Sequence, residues 1–573
     1  MAEKRIKSPK ELKKTAERLR KARQRYRYRV LICMTGCRAL GAAEVVTAFR
    51  EKLIADKLDK KIEIVETGCI GLCARAPVVL TEPGEILYGG VRPEDVGQII
   101  ETMLNNTPED EASGVNATGR LAEVEFYTKQ QRLVLANCGR INPKNIDDAI
   151  ARGCYQAAAK ALCDMTPEQV IEEVTKAGLR GRGGAGFSTG SKWHFCRQAP
   201  GDEKYLICNA DEGDPGAFMD RALKEGDPHR VIEGMIIAAY AIGAANGFAY
   251  IRAEYPIAVE HVMIALTQAR QLGLLGQNIL SSGFNFDIEV RMGAGAFVCG
   301  EETALIASLE GKRGMPTPRP PFPAQKGYHG KPTNINNVET FANVPLIINN
   351  GAQWYSSIGT KGSKGTKIFA LAGKVKNTGL VEVPMGTTLR QIVFDIGGGI
   401  PGNRKFKAAQ MGGPSGGCVP AAFLDLPVDY DSVKDIGAIM GSGGLIVMDE
   451  NTCVVDIARF FLRFVQSESC GKCTPCRVGT KQMLQMLDAI CEGKATIDIL
   501  SKLQRLAEDV GKASLCGLGQ TAPNPVLSTL KYFRDEYEEH IILKHCRAAR
   551  CEALVQAPCR HTCPAGVNAP EFV

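Results

Sequence analysis

Residues 178–193 have the sequence GLRGRGGAGFSTGSKW, with six glycines and no acidic side chain. Three of the glycines satisfy the pattern G-x-G-x-x-G, which in a Rossmann domain follows a β-strand and opens a helix. The preceding residues, TPEQVIEEVTKAGL at 166–179, instead predict a helix with Thr166 as its N-cap. The Rossmann interpretation therefore fails, and the loop is either flexible or serves another ligand that needs close access to bare backbone.

The composition is that of a folded chain with several domains. Its 573 residues exceed what one hydrophobic core supports, and 45% hydrophobic with 23% charged residues are ordinary values for globular proteins. The first 29 residues carry much of the net charge of +7 and no apolar segment, which argues against a signal peptide. The most membrane-like stretch, 235–251, is short and rich in Ala and Gly. We therefore expect a buried helix there, no direct membrane insertion, and a cytoplasmic location.

Twenty-one cysteines are the strongest compositional signal, and in a large chain without a secretion signal they indicate metal binding rather than disulfides. The first cluster has two C-x3-C pairs separated by 31 residues, and each pair follows a predicted strand, at 29–33 and at 61–69. This order resembles the thioredoxin-like [2Fe-2S] ferredoxins, although their first pair usually has a four-residue spacer. A zinc site and unliganded thiols are the alternatives. The predicted ligands are Cys33, Cys37, Cys69 and Cys73.

The second cluster has the spacing of a cubane site. SESCGKCTPCRVGT (467–480) contains C-x2-C-x2-C, and one remote cysteine follows in KASLCGLGQTAPNPV (512–526). Three close thiolates and one remote thiolate are typical of [4Fe-4S] clusters, whereas zinc prefers two pairs. The flanking segments have apolar residues at helical spacing, so we expect this cluster in a helical bundle. The predicted ligands are Cys470, Cys473, Cys476 and Cys516.

Three further segments carry a resemblance to a known family: CNADEGDPGAFMDR (208–221), GAGAFVCGEETALIASLEGKRG (293–314) and PRPPFPAQKGYHGKPTNINNVET (318–340). With the glycine loop and both cysteine clusters, they resemble the NADH-binding flavoprotein subunit of respiratory complex I. The resemblance is closer still to the diaphorase subunit of electron-bifurcating hydrogenases and transhydrogenases. It extends from about residue 28 to residue 555.

The resemblance implies roles for individual residues, with NAD(H) as the substrate and FMN as the cofactor. The residues expected to line FMN and its phosphate are Gly181, Arg182, Gly183, Gly184, Ala185, Gly186 and Lys192, with Asn336 and Asn337 near the phosphate. Those expected along the ribityl chain and the polar edge of the ring are Asn209, Asp211 and Glu212. Glu302 would hydrogen-bond the NADH ribose as a catalytic-site residue, beside Gly300 and Glu301. Phe187, Phe195 and Phe322 would stack on the adenine, with core packing as the alternative for each.

Three positions depart from the complex I pattern. Asp214, expected near the nicotinamide as a catalytic-site residue, stands where complex I has Glu. Phe297 replaces a tyrosine, and Arg319, a cofactor-binding candidate, replaces a lysine. All three resemble the bifurcating branch of the family.

The implied activity is NADH oxidation by an FMN- and iron–sulfur-dependent diaphorase. FMN takes two electrons as a hydride, and iron–sulfur clusters take one electron each, so the flavin converts between the two modes. In a bifurcating complex the partners would be ferredoxin, other iron–sulfur subunits, and NADPH or H2 as a third carrier. The alternatives are a non-bifurcating NADH dehydrogenase module and a scaffold that has lost its flavin. No motif supports nucleic-acid binding.

The C-terminal residues 540–573 contain two further cysteine groups. The resemblance places a structural zinc at Cys453, His540, Cys546 and Cys551. Cys559 and Cys563, in APCRHTCPAGVNAPEF (557–572), resemble the opening of a double-cubane ferredoxin module of glutamate-synthase-type flavoproteins. Because such a module needs more cysteines downstream, we expect a chain that continues past residue 573.

The expected fold class is α/β multidomain. A basic N-terminal helix, which either docks on a partner subunit or is a solvated face, precedes the thioredoxin-like domain. A linker, an FMN- and NADH-binding domain, a β-grasp domain, the [4Fe-4S] helical bundle and the zinc and iron–sulfur segment follow. The predicted bounds are 1–27, 28–105, 106–122, 123–345, 346–440, 441–540 and 541–573.

Overall fold

Three separate β-sheets and a terminal helical bundle follow one another along the chain, which confirms the predicted fold class. The computed structural model describes residues 5–105 and 117–555, with the single residues 563, 565 and 567. Within these ranges, no helix combines the length and the apolar character that crossing a bilayer requires.

The first sheet has the strand order β2-β1-β3-β4-β5, in which β1 and β2 are parallel and the other pairs are antiparallel. Because both cysteine pairs follow the carboxyl ends of the two parallel strands, they lie at the same edge of this sheet. The elements are α1 (Pro9–Arg23), β1 (Tyr28–Cys33), α2 (Ala42–Ala55), β2 (Ile62–Thr67), β3 (Val78–Glu82), β4 (Ile86–Gly89), α3 (Val96–Asn105) and β5 (Ala117–Arg120).

The second sheet is parallel throughout, in the order β8-β7-β6-β9, with helices packed against it. In open parallel sheets, ligands bind outside the carboxyl ends of the strands. The elements are α4 (Glu125–Thr128), α5 (Ile146–Ala151), α6 (Gln156–Asp164), α7 (Pro167–Ala177), α8 (Thr189–Gln198), β6 (Tyr205–Ala210), α9 (Met219–Gly226), α10 (Pro228–Ile242), β7 (Asn246–Arg252), α11 (Pro256–Gln271), β8 (Asp287–Gly293), α12 (Glu302–Leu309), β9 (Thr333–Asn337), α13 (Val338–Asn350) and α14 (Ala352–Ser356).

We call the three sheets with their neighbouring helices the first, second and third unit; the second unit comprises α4 to α14 with strands β6 to β9. The basic helix α1 packs on this second unit of its own chain. Leu12, Ala16 and Leu19 form its buried face and share one hydrophobic core with Ile146 of α5 and Ala158 of α6. The opposite face of α1 is basic and exposed, as its charge pattern predicts.

The third sheet is mixed and has the order β11-β10-β14-β12-β13. Its first and last strands along the chain, β10 and β14, are parallel neighbours at the centre, the arrangement that the β-grasp prediction implies. The predicted boundary at 440 is wrong, because β14 belongs to this sheet. The elements are β10 (Thr366–Gly373), β11 (Gly379–Pro384), a helical turn (Gln391–Ile396), β12 (Phe406–Met411), β13 (Gly417–Pro420), α15 (Tyr430–Asp435) and β14 (Gly444–Asp449).

The helical bundle begins after β14 and includes part of the C-terminal segment. Ile541, Cys546, Cys551 and Leu554 lie in its hydrophobic core, so the predicted boundary at 540 does not separate two units. Likewise, α13 and α14 extend the second unit past residue 345. The bundle elements are α16 (Val454–Glu468), α17 (Thr480–Cys491), α18 (Ile499–Ala513), α19 (Gly517–Thr521), α20 (Asn524–Tyr532) and α21 (Arg534–Glu538).

Candidate functional site

The glycine loop joins two helices, α7 and α8, which agrees with the rejection of a Rossmann motif. The amide of Gly181 donates to the carbonyl of Phe187 at 2.8 Å, closing the loop on itself. Gly184 and Gly186 have φ values of +128° and +65°, which side chains other than glycine adopt only with strain.

Tyr430, from the third unit, holds this loop in place. Its hydroxyl donates to the carbonyl of Gly181 at 2.8 Å, and its ring lies directly against Gly186. The guanidinium of Arg180 lies 4.5 Å from the centre of the same ring and pairs with Asp431. The loop is therefore fixed by contacts from another domain.

The side chain of Arg182 points into the core, so the prediction that this side chain lines the cofactor is wrong. It is fully buried, and its guanidinium donates to the carbonyls of Thr366 and Lys364 and to the hydroxyl of Tyr355. Its backbone amide also donates to Thr340 Oγ1, at 2.8 Å. Arg182 anchors the base of the loop and has no guanidinium donor directed at a phosphate.

The predicted asparagines lie at the carboxyl edge of the parallel sheet. Asn209 and Asn337 are register partners at the ends of β6 and β9. The Nδ2 group of Asn209 donates to the carbonyl of Gly300 at 2.9 Å, which joins two of the predicted segments, 208–221 and 293–314. Asn337 caps α13 through Oδ1, and Asn336 accepts a hydrogen bond from Trp193 of α8 at 2.9 Å.

Asp211 offers unsatisfied acceptors at this edge. Its carboxylate is buried, neither oxygen accepts a hydrogen bond among the described residues, and Arg252 lies 3.7 Å away. Burial raises the pKa of Asp211 to about 7, against the effect of Arg252 and Lys224. Buried acceptors without donors are expected where a hydroxyl-bearing ligand binds, so the carboxylate of Asp211 fits the ribityl chain of FMN.

Two predicted acids act as helix caps. Glu212 is buried and accepts from the backbone amides of Asp220 and Arg221, which begins α9. Glu301 accepts from the amides of Thr303 and Ala304 and begins α12. Backbone amides thus occupy both carboxylates, which position the starts of α9 and α12.

Asp214 contacts the third unit. It accepts a hydrogen bond of 2.5 Å from Ser442, and Gly413 packs against its side chain. Burial raises the pKa of Asp214 to about 6, although the bond from Ser442 lowers it. This acid therefore lies where the second and third units meet.

The predicted nicotinamide-nucleotide residues form a charged group at the surface. Glu302 pairs with Lys192 of α8 and lies 3.6 Å from Arg319. The guanidinium of Arg319 is 5.9 Å from the ring centre of Phe322. Phe187, Phe195 and Phe322 are each more than half exposed, which contradicts core packing and leaves their rings free for stacking.

The [4Fe-4S] cysteines dock on the second unit. Cys476 shares a hydrophobic core with Tyr250 of β7 and Ala304 of α12, and the other three cysteines pack around it. Lys472 donates to the carbonyl of Pro316 at 2.6 Å, and Glu468 accepts from the amide of Phe297 at 2.7 Å. The four thiols suit a cubane, and their loop is held beside the predicted NADH segment.

The [2Fe-2S] cysteines lie between the second and third units. Cys69 and Cys73 have their sulfurs 3.8 Å apart, and Cys33 and Cys37 are buried in the same core. The loop between Cys69 and Cys73 is bound by β11, because the amide of Leu380 donates to Gly71 at 2.8 Å. The amide of Gly71 donates to the sulfur of Cys69 at 3.3 Å, and a set of four thiols with such a donor fits a [2Fe-2S] cluster.

Helix α9 spans the gap between this loop and the carboxyl edge of the second sheet. Its first turn is capped by Glu212, and Gly226 at its end is in backbone contact with Gly68, next to Cys69. Arg221 and Glu225 of α9 pair at 2.8 Å. Because α9 has eight residues and a helix rises 1.5 Å per residue, its two ends lie about 12 Å apart.

The predicted zinc ligands converge in the bundle core. Cys453, His540, Cys546 and Cys551 place their ligand atoms within 4.8 Å of one another, the single such group in the described ranges. His540 Nε2 lies 3.3 Å from the sulfur of Cys453 and 3.4 Å from that of Cys551. Zinc bonds of about 2.3 Å to sulfur and 2.0 Å to nitrogen give tetrahedral edges of about 3.5–3.8 Å, so one ion fits.

A second contact orients the histidine. His540 Nδ1 donates to the carbonyl of Glu536 at 2.7 Å, which leaves Nε2 for a metal. Cys559 lies outside the described residues. Cys563 is described, and its sulfur accepts from the amide of Val567 at 3.4 Å. The further iron–sulfur module therefore stays a prediction.

Sequence reasoning missed the residues that the third unit contributes. Tyr430 and Ser442 carry no motif of their own, and only the glycine run GSGG at 441–444 signals a close backbone approach. Tyr255 was also missed, although its hydroxyl donates to the carbonyl of Glu212 at 2.6 Å.

Comparison with known proteins agrees with these sites. Residues 174–346 match the Nuo51 FMN-binding domain, residues 456–540 the NADH-ubiquinone oxidoreductase-F iron-sulfur binding region, and residues 20–104 the thioredoxin-like [2Fe-2S] ferredoxin. The NADP-reducing hydrogenase subunit HndC of Solidesulfovibrio fructosivorans is 58% identical over 76% of this chain and 88% of its own length. A subunit of the NADH-quinone oxidoreductase of Aquifex aeolicus is 47% identical over 69% of this chain and 91% of its own length.

A solved structure extends the similarity to the arrangement of the units. A chain of the NAD+-reducing [NiFe]-hydrogenase in its H2-reduced state is 34% identical, with a TM-score of 0.64 over 90% of this chain and 84% of that chain. The matches cover the glycine loop, the second sheet and both iron–sulfur cysteine groups. The chain therefore belongs to the family of NADH-binding flavoprotein subunits with FMN and iron–sulfur clusters, and it is an oxidoreductase of the NADH dehydrogenase type.

Proposed function

We propose that the chain is the diaphorase subunit of a cytoplasmic, flavin-based electron-bifurcating complex. The activity would couple NADH, ferredoxin and a third carrier, either NADPH or H2, with other iron–sulfur subunits as partners. Bound FMN would supply the conversion between a hydride and single electrons. The observation that carries the proposal is the separate docking of two iron–sulfur cysteine groups, one through α9 and β11 and one through the segments at 297 and 316.

The proposed FMN contacts follow from the groups left available at the carboxyl edge. Asp211 accepts from ribityl hydroxyls, and Asn209 stands beside it at the end of β6. The backbone of Gly183, Gly184 and Gly186 would face the flavin. Glycine is needed there because a Cβ would meet Asn337, Gly441 or Tyr430 behind the loop. Glu212 and Arg182 position this cradle from behind.

The proposed NADH contacts lie on the exposed side of the same edge. Glu302 accepts from the ribose hydroxyls, which requires Lys192 or Arg319 to release part of its pairing with the carboxylate. Phe187, Phe195 and Phe322 offer aromatic faces to the adenine. Asp214, which Ser442 holds, lies nearest to the third unit and would face the nicotinamide.

The proposed zinc would be structural, because its four ligands are buried and leave no open position. It would tie α16 to the residues after α21. A cytoplasmic location is supported by the cysteines, since none of those in the described ranges forms a disulfide.

Reduction by nucleotides under anaerobic conditions tests the proposal. We expect NADH, and not NADPH, to bleach the flavin and cluster absorbance of the purified holoprotein. In the assembled complex, NADPH or H2 should then reduce added ferredoxin only while NAD+ is reduced to NADH as well, because NADH by itself is too weak a reductant to reduce both ferredoxin and the third carrier. NADH bleaching without any coupled ferredoxin reduction would favour the non-bifurcating dehydrogenase module, and no bleaching would exclude the diaphorase.

A further inference from the structure

A cavity of about 440 Å³ opens between the first and second units, away from the carboxyl edge of the second sheet. Glu82 and Glu85, around the β3–β4 turn, form one wall, and Arg132, Arg140 and Arg152 of the second unit form the other. None of these residues belongs to the FMN, NADH or metal sites described above. The volume falls in the range of about 300–1,000 Å³ that is typical of small-molecule sites.

The charges in this cavity, which we call the arginine pocket, are not balanced. Arg140 pairs with Glu82 at 3.1 Å and with Glu85 at 2.7 Å. Arg132 and Arg152 have no carboxylate within ion-pair distance among the described residues. Arg132 donates to backbone carbonyls, and Arg152 donates to one carbonyl and to the side-chain oxygen of Asn137. The three arginines of the pocket therefore exceed its two glutamates by one positive charge.

Like charges crowd the arginine wall. Burial, with the nearby Arg23 and Arg140, lowers the pKa of Arg152, against the effect of Asp227 and Glu82. Guanidinium groups that repel one another are stabilised by a bound anion.

The pocket has the chemistry of a phosphate site with room for an organic group. Planar guanidinium forks match the oxygens of a phosphate in pairs. The Arg132 guanidinium lies 5.5 Å from the centre of the Tyr127 ring, and Leu121 adds apolar surface beside it. The cavity is also larger than a phosphate ion alone requires.

We propose that the arginine pocket binds a small phosphorylated molecule, with Arg132 and Arg152 as ligands of the phosphate. Because its walls come from both units, a bound ligand would strengthen the docking of the [2Fe-2S] unit on the flavin domain. The proposal is independent of bifurcation.

Calorimetric titration of the holoprotein tests it, in phosphate-free buffer with NAD+ at saturation to block the nucleotide site. The probes are inorganic phosphate, pyrophosphate and ribose 5-phosphate. We expect one saturable site, with ribose 5-phosphate bound more tightly than inorganic phosphate. Since a ligand of the folded state stabilises it, the midpoint of thermal unfolding should rise with ribose 5-phosphate concentration.

Variants locate the site. Arg152→Gln should weaken binding by about tenfold, the loss of one charge-assisted phosphate contact, and Arg152→Lys should weaken it less. Arg390→Gln, at an exposed pair with Asp425 on the third unit, is the matched control and should bind as the unsubstituted protein does.

Two results would overturn the proposal. The first is the absence of saturable binding for all three probes. The second is equal binding by the Arg152→Gln and Arg390→Gln proteins, which would mean an adventitious anion only.

Discussion

Substitution of Gly186 by alanine tests whether the glycine loop positions FMN. A methyl group there would lie 2.7 Å from Cδ1 of Tyr430, well inside contact distance, and φ is +65°. The left-handed conformation costs a residue with a Cβ about 1–2 kcal/mol. Displacement of the ring breaks the 2.8 Å bond from Tyr430 to Gly181, which contributes about 0.5–1.5 kcal/mol. The sum is about 1.5–3.5 kcal/mol of lost stability.

Part of this loss should appear as weaker FMN binding. If about 1 kcal/mol of this loss reduces the free energy of FMN binding, the Kd for FMN rises about fivefold. Flavin fluorescence during titration of the apoprotein measures this Kd. Gly402→Ala is the matched control, because φ is +68° there and no atom lies within 4 Å of the new methyl group. It should lower stability through backbone strain and leave the FMN affinity unchanged. Equal FMN affinity in the two variants would refute the role of the loop.

Three further predictions concern charge and metal. Arg221→Gln should lower the midpoint potential of the [2Fe-2S] cluster and Glu225→Gln should raise it, because reduction adds negative charge near this pair; EPR-monitored redox titrations with shifts of the same sign would contradict this. Cys546→Ser should abolish bound zinc and lower the thermal midpoint at unchanged iron content, and zinc retained at full stoichiometry in metal analysis would exclude the site. The folded pKa of Asp211, about 7, lies above its unfolded value near 4, so its ionisation destabilises the FMN-free protein as pH rises through this window. Asp211→Asn should flatten that part of the stability profile, and an unchanged slope in denaturant titrations would show that another group is responsible.

Local sequence determined much of the fold, because the signals involved act over a few residues. Thr166 caps α7, since its side chain accepts from the amide of Gln169, and Glu301 caps α12 in the same way. The cysteine spacings identified two iron–sulfur sites because loops after strands and helix turns place thiols at fixed separations. Domain bounds were less well determined: β14 pairs with a strand more than 70 residues earlier, and no local pattern reports that pairing.

Side-chain roles at the site depended on the tertiary structure. The motifs named Arg182, Glu212 and Glu301, but only the fold shows that core carbonyls and helix amides occupy their polar groups. Tyr430 reaches Gly181 across 249 residues of sequence. The sequence by itself determined which cofactors the chain suits, since thiol spacing and glycine content are local properties. The tertiary structure decided which groups remain free to bind them, because hydrogen bonds and burial are settled only when distant segments pack together.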